Sequence, residues 1–103
     1  MSAIIPTVVE HVEARIQADL ARGRLFAVEG TLQRVNYRTR ELKVIAHGEV
    51  WYFTLDRDCQ LWFDDRQATL RCFHSLDPAK VIFERTAAGD VAKAMYSWEK
   101  QFA

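Results

Sequence analysis

The sequence contains few of the residues that disulfides, soft-metal sites and flexible linkers require. Its 103 residues include two cysteines, two methionines, two prolines and four glycines. Cys59 and Cys72 both lie on segments with an apolar pattern, which favours buried thiols in a reducing compartment over a disulfide. No linker, internal repeat or low-complexity stretch interrupts the chain. At this length we predict a single domain over residues 1–103.

An excess of charge and a long apolar run are also absent. Fourteen basic residues balance fourteen acidic ones, so no global field attracts nucleic acid or an anionic membrane. No apolar run approaches the roughly 18 residues of a membrane span. Residues 1–15 lack the charged and apolar regions of a signal peptide. These absences predict a cytoplasmic protein that does not bind membranes.

An amphipathic helix is predicted over residues 7–22. Thr7 and Glu10 match a capping box, and Gly23 stands where a helix would end. Apolar residues at three- and four-residue spacing form one stripe, which is the candidate helix interface. The stripe consists of Val9, Val12, Ile16 and Leu20. It could cover the aromatic side chains of its own domain, join a second copy of the chain in a homodimer, or bind another protein.

From residue 24 to 98 the apolar pattern changes to a period of two, with turn signals every eight to twelve residues. This pattern is typical of a small antiparallel barrel of five or six strands with an OB-like fold. The predicted strands are 24–36, 41–46, 49–56, 59–63, 68–73 and 80–85. Residues 91–98 fit either a last strand or a short helix, and Gly30 is predicted to mark a bulge or sharp bend. The fold class is therefore mainly β with one N-terminal α-helix.

Four stretches of the sequence carry a resemblance to a known group. They read "GTLQRVNYRTRELKV", "GEVWYFTLD", "CQLWFDDRQATL" and "SLDPAKVIFERTAAGDVAKA". Together they resemble small bacterial β-barrel domains of unknown function, which are distantly similar to the barrel of the periplasmic copper-efflux chaperone. The resemblance implies an OB-like barrel over about residues 28–95. Ala79 and Lys80 stand where those domains have Gly-Asp, Asn36 replaces an Asp, and their usual secretion signal is missing.

The donors for a metal site or a catalytic centre are sparse. Copper(I) prefers thioether and imidazole ligands, and the methionines are Met1 and Met95 alone. Cys72 and His74, with Cys59 elsewhere, form too small a set for a zinc site. The same pair lacks the orienting group and oxyanion site that nucleophilic catalysis requires. We therefore predict no metal, no cofactor and no enzymatic activity.

Exposed aromatic and basic residues define a candidate binding surface. Because Trp51, Tyr52 and Phe53 are consecutive, they cannot all point inward, and Tyr52 and Trp62 are predicted to face outward. OB-type barrels bind single strands by stacking bases on exposed aromatics beside a basic groove. The candidate binding surface consists of Arg34, Tyr37, Arg38, Arg40, Lys43, Tyr52 and Trp62. The stretch 33–43 also fits an ordinary solvated hairpin turn.

The functional prediction is a non-catalytic binding or assembly module that acts through protein–protein contacts, self-association included. The alternative is an OB-like protein that binds single-stranded nucleic acid. A third hypothesis is a barrel that binds a metal or another small ligand.

Overall fold

The computed structural model of the protein describes residues 23–99. The predicted helix over residues 7–22, with its stripe, lies outside this part of the chain. The described strands are β1 Phe26–Asn36, β2 Glu41–Ala46, β3 Glu49–Phe63, β4 Arg66–Gln67, β5 Pro78–Thr86 and β6 Gly89–Ser97. A single-turn 3-10 helix, η1, spans Leu70–Cys72. In this part of the chain, no helix has the length and hydropathy that a membrane crossing requires.

Five strands close a barrel. The strand order is β2-β1-β5-β6-β3-β4, and β2 also pairs with β3, so five strands form a ring to which β4 is attached. The pairings are antiparallel except the one between β3 and β6, which is parallel. The predicted fold class, a small mainly β barrel with five to six strands, is confirmed.

Strand β1 changes partners near Gly30. Residues 26–31 pair with β5, and residues 31–36 pair with β2. A Cβ atom at Gly30 would collide with the carbonyl oxygen of Ile45 and lie 2.8 Å from Cβ of Ala46. Only glycine allows this close approach of two backbones. Glycine at position 30 therefore has a steric reason, and the irregularity in the pairing of β1 with β2 lies beyond it, between Leu32 and Arg34.

The interior of the barrel is filled by its own side chains. Its largest fully buried members are Leu32, Val44, Phe53, Phe73, Val81, Phe83 and Met95. The ring centroids of Phe53 and Phe83 lie 4.9 Å apart, and that of Trp51 lies 5.9 Å from Phe83. These are distances at which aromatic rings attract each other. The packing leaves ligand binding to the outside of the barrel.

The predicted break between the strands 49–56 and 59–63 is wrong, because β3 continues through it as one 15-residue strand. The register between β3 and β6 slips in this region. The carboxylate of Asp56 lies 3.5 Å from Nζ of Lys93, and its carbonyl oxygen accepts a hydrogen bond of 3.2 Å from Arg40. The polar residues therefore mark an irregularity within a strand, and Asp56 has partners there.

The predicted strand at 68–73 is also wrong. This segment forms η1, in which the amide of Phe73 donates to the carbonyl of Leu70 at 3.1 Å. Both side chains are buried in the core of the barrel. Apolar residues three apart share one side of a 3-10 turn, whereas a strand would point them to opposite faces. At 91–98, where strand and helix were both open, the chain forms β6.

Candidate functional site

The outer face of β1, β2 and β3 brings three candidate residues together. Because successive strand residues point to opposite sides, burial of Leu42 and Phe53 turns Lys43 and Tyr52 outward. The register places Arg34 opposite Lys43, and Lys43 opposite Tyr52. The three residues therefore form one row across three strands. We call this surface the β1–β2–β3 face.

Tyr52 is the most prominent aromatic side chain of this face. It is 66% exposed, as the strand alternation predicts. Nζ of Lys43 lies 5.7 Å from the centroid of its ring, within the range of a cation–π contact. The face thus presents a stiff aromatic ring with a positive charge beside it.

A groove runs past Tyr52. Its first part is a cleft of about 350 Å³, lined by Arg34, Asn36, Glu41, Leu42, Lys43 and Tyr52. A second cleft of about 160 Å³ shares Glu41 and Tyr52 and reaches Gly89 and Asp90 at the β5–β6 turn. The groove therefore carries basic groups at the β1 end and carboxylates from Glu41 to the β5–β6 turn.

An apolar patch lies on the same face. Ile45 is 38% exposed and Val50 45% exposed, and the two residues pair directly across β2 and β3. Tyr52 follows Val50 by two positions and points to the same side. The sequence interpretation missed Ile45 and Val50. The signal was available, because the alternation that buries Val44 also turns its neighbour Ile45 outward.

Tyr37, the first residue after β1, connects the β1–β2 turn to the segment around η1. Its hydroxyl donates a hydrogen bond of 2.6 Å to the carbonyl of Phe73. Its ring centroid lies 5.7 Å from the guanidinium carbon of Arg71. Both contacts join the turn to η1, so the ring is engaged on that side rather than beside Tyr52.

The two arginines of this turn differ in their surroundings. Arg40 has a left-handed backbone with φ of 58°, and its carbonyl accepts a hydrogen bond of 2.8 Å from the amide of Leu55. With its guanidinium on the carbonyl of Asp56, Arg40 anchors the turn to β3. Arg38 is exposed, and its amide donates to the side chain of Asn36 at 3.1 Å. The stretch is a hairpin turn, as one of the two sequence interpretations predicts.

Trp62 lies on a different part of the barrel. It follows Tyr52 by ten positions along β3, beyond the bulge, and pairs with Gln67 of β4 and Tyr96 of β6. Its side chain is half-buried. The predicted binding surface is therefore divided, because the structure joins Arg34, Lys43 and Tyr52 but places Tyr37 and Trp62 elsewhere.

Comparison with known proteins finds a likeness in fold. No protein-family model and no curated protein sequence matches the chain. Solved structures of CusF from Escherichia coli do match. The barrel is similar to that of CusF. A tryptophan-to-alanine variant with Cu(II) has a TM-score of 0.59 at 6% identity, covering 74% of this chain and 94% of that chain. CusF with Ag(I) has a TM-score of 0.59 at 6% identity, covering 73% and 92%.

The likeness to CusF contradicts the predicted cytoplasmic location. CusF is a periplasmic protein, and the matching structures above are all of CusF. The cytoplasmic prediction relied on the lack of a signal peptide in residues 1–15. A sequence shows nothing of what precedes its first residue, so this absence was a poor guide to location.

The described residues do not fit the metals in the CusF structures. Met95 is fully buried in the core, whereas His47 and His74 are exposed. Within residues 23–99, no three His, Cys, Asp or Glu side chains lie close enough together to hold an ion. A copper or silver ion needs several soft donors that point to one place. The barrel therefore shares the CusF fold while its described residues assemble no such donor set.

The surroundings of Cys59 also make its thiol a poor metal ligand. Burial raises the pKa of its thiol from 9.0 to about 12, although the charge of Arg40 acts in the opposite direction. Because of this high pKa, the thiol stays protonated at neutral pH. The thiolate is the form that binds metals, so Cys59 is a poor metal ligand. Cys72 is exposed, and both cysteines are free.

Proposed function

We propose that the barrel is a non-catalytic binding module that docks a protein partner on the β1–β2–β3 face. The observation that carries this proposal is the patch of Ile45, Val50 and Tyr52, three exposed apolar side chains next to one another. Contiguous apolar surface with a polar rim is typical of protein interaction sites. The CusF-like fold supports the non-catalytic character, since CusF is a metal chaperone and not an enzyme.

The chemistry of the face indicates the kind of partner. Tyr52 is an aromatic anchor that loses little conformational entropy on binding. Arg34 and Lys43 form a basic rim on one side of it, and arginine pairs well with carboxylates. We expect a partner segment with apolar side chains at its centre and a carboxylate that faces these two basic residues.

Site-specific photo-crosslinking in cells tests the proposal. A photoreactive amino acid in place of Tyr52 should give one adduct, which mass spectrometry identifies as another protein. The same amino acid at the exposed Ser75, on the loop after η1, should give none. Val50→Asp beside the crosslinker should abolish the adduct without unfolding the barrel, because Val50 lies outside the core. An adduct that survives Val50→Asp would contradict the proposal, and so would the absence of any adduct.

Single-stranded nucleic acid is the second candidate ligand. The row of Arg34, Lys43 and Tyr52 favours it, because it lies between the β1–β2 and β5–β6 turns, where OB barrels bind oligonucleotides. A labelled oligothymidine should then bind at about 50 mM salt and weaken steeply as salt is added. Lys43→Glu should abolish this binding, and the matched Lys80→Glu on β5 should not. No binding at this salt concentration would reject the candidate.

We also propose a periplasmic location, which the likeness to CusF supports. Fractionation of cells that produce the natural protein should recover it with periplasmic markers. Recovery with cytoplasmic markers alone would reject this location.

A further inference from the structure

The outer face of β5 and β6 carries apolar side chains that are covered. The register pairs Ile82 with Ala94. Their neighbours Val81 and Met95 point into the core, so Ile82 and Ala94 point outward. Yet Ile82 is 2% exposed and Ala94 is 0% exposed. This part of the outer surface is therefore shielded from water, unlike the β1–β2–β3 face.

The cluster around these two residues includes Leu25, which lies close to the first described residue, Gly23. Leu25 is buried with Ile82 and Ala94, and Tyr96 packs against them. Trp62, which pairs with Tyr96 across β3 and β6, is half-buried beside the cluster. The small side chain of Ala94 leaves a shallow surface over which another element can approach closely.

The preceding 22 residues have the length and pattern to occupy this surface. A helix over residues 7–22 would be about 24 Å long, close to the roughly 30 Å of the nine-residue β6. Gly23 has φ of 74°, the conformation that typically ends a helix. Two residues later, Leu25 already packs on the cluster, so the segment ends beside it.

We propose that residues 7–22 dock as an amphipathic helix on the outer face of β5 and β6 of their own barrel. The stripe of Val9, Val12, Ile16 and Leu20 covers Ile82 and Ala94, with Trp62 and Tyr96 along one side. The β1–β2–β3 face then remains open. This inference is independent of the function proposed for that face.

Methyl and indole NMR spectra of the full chain test the docking. Ile16→Asp places a charge in the stripe, and the adjacent Gln17→Asp places the same charge on the polar side. Ile16→Asp should shift the methyl signals of Ile82 and Ala94, whereas Gln17→Asp should shift neither. The equilibrium constant between docked and undocked helix should fall about ten- to a hundredfold, the factor that corresponds to the burial of one isoleucine side chain.

Other positions in the same spectra distinguish the alternatives. Shifts at Ile45 and Val50, in place of Ile82 and Ala94, would put the helix on the β1–β2–β3 face and overturn the proposal. Unchanged signals at all four positions would overturn it as well. If the core signals disappear in Ile16→Asp, Ile16→Ala should produce the same pattern of shifts at smaller amplitude.

Sedimentation of the unmodified chain shows whether the helix docks on its own barrel or on the barrel of a second copy. A monomer at micromolar concentration with the shifts at Ile82 and Ala94 supports docking within one chain. A dimer, with shifts that appear only above its dissociation constant, would assign the helix to the second copy and overturn the proposal.

Discussion

The barrel has two outer faces that follow the same strand alternation and differ in what covers them. On the β1–β2–β3 face, Val50 and Tyr52 are 45% and 66% exposed. On the β5–β6 face, Ile82 points outward in the same way and is 2% exposed. Alternation along a strand therefore determines the direction of a side chain but not its contact with water. That contact depends on elements that pack on the barrel from outside.

The largest expected effect concerns the chemical reactivity of a covered thiol. With its pKa raised to about 12, Cys59 should have a thiolate fraction at pH 8 about a thousandfold below that of an ordinary thiol. Alkylation at pH 8 followed by mass spectrometry should therefore label the exposed Cys72 and spare Cys59. Labelling of Cys59 should accelerate about tenfold for each pH unit up to about pH 11, because its thiolate fraction rises with pH. Equal rates at pH 8 would contradict this prediction.

Strand β1 belongs to the first face and pairs with β5 of the second, and Gly30→Ala should disrupt it. The added Cβ atom collides with the carbonyl of Ile45, so β1 and β2 must separate. We expect the free energy of unfolding to fall by about 3 kcal/mol or more, as in severe overpacking. Urea denaturation measures it. Gly48→Ala, where a Cβ meets open space at φ of 74°, should cost about 1 kcal/mol through backbone strain alone.

A matched pair of truncations compares the faces directly. Ile82→Ala should lower the free energy of unfolding by about 2–4 kcal/mol, since it removes buried methylene groups. Val50→Ala on the open face should change it by less than about 0.5 kcal/mol. Thermal or urea unfolding of both variants provides the test. Equal costs would show that the two faces are covered alike, against the burial described above.

The smallest effect is expected at Tyr37. Tyr37→Phe removes the hydroxyl that donates to the carbonyl of Phe73, which should cost about 1 kcal/mol of stability. Tyr52→Phe, on an exposed ring with no such bond among the described residues, should leave stability unchanged. Photo-crosslinking at position 52 should be unaffected by Tyr37→Phe. A loss of crosslinking would indicate that Tyr37 is part of the binding surface.

Local patterns in the sequence were sufficient for most of the fold. The period of two predicted the β1–β2 hairpin and the outward direction of Tyr52. Local patterns led to wrong predictions where one pattern is compatible with two structures. Aspartates such as Asp56 and Asp58 suit a turn and a bulge equally, and only the pairing of β3 with β6 decides between the two.

The candidate site was harder to predict because its contacts are distant in sequence. Tyr37 bonds to a carbonyl 36 residues away, and no local pattern signals that bond. Trp62 is half-buried, and its exposure depends on neighbours outside its own strand. The apolar pair Ile45 and Val50 was accessible from the alternation alone. Both side chains are aliphatic, so a prediction based on aromatic and basic residues does not include them.

The parallel pairing of β3 with β6 has a consequence for how the protein folds. β1, β2 and β3 are joined by short turns and can assemble early, whereas the ring closes only when β6 inserts between β5 and β3. Pairing of such distant segments slows folding, because a long loop must close first. Until residue 97 has been synthesised, the inner surface at Leu32 and Phe53 stays open to water. A chain that lacks its last strand therefore exposes apolar surface and unpaired strand edges, which favour aggregation.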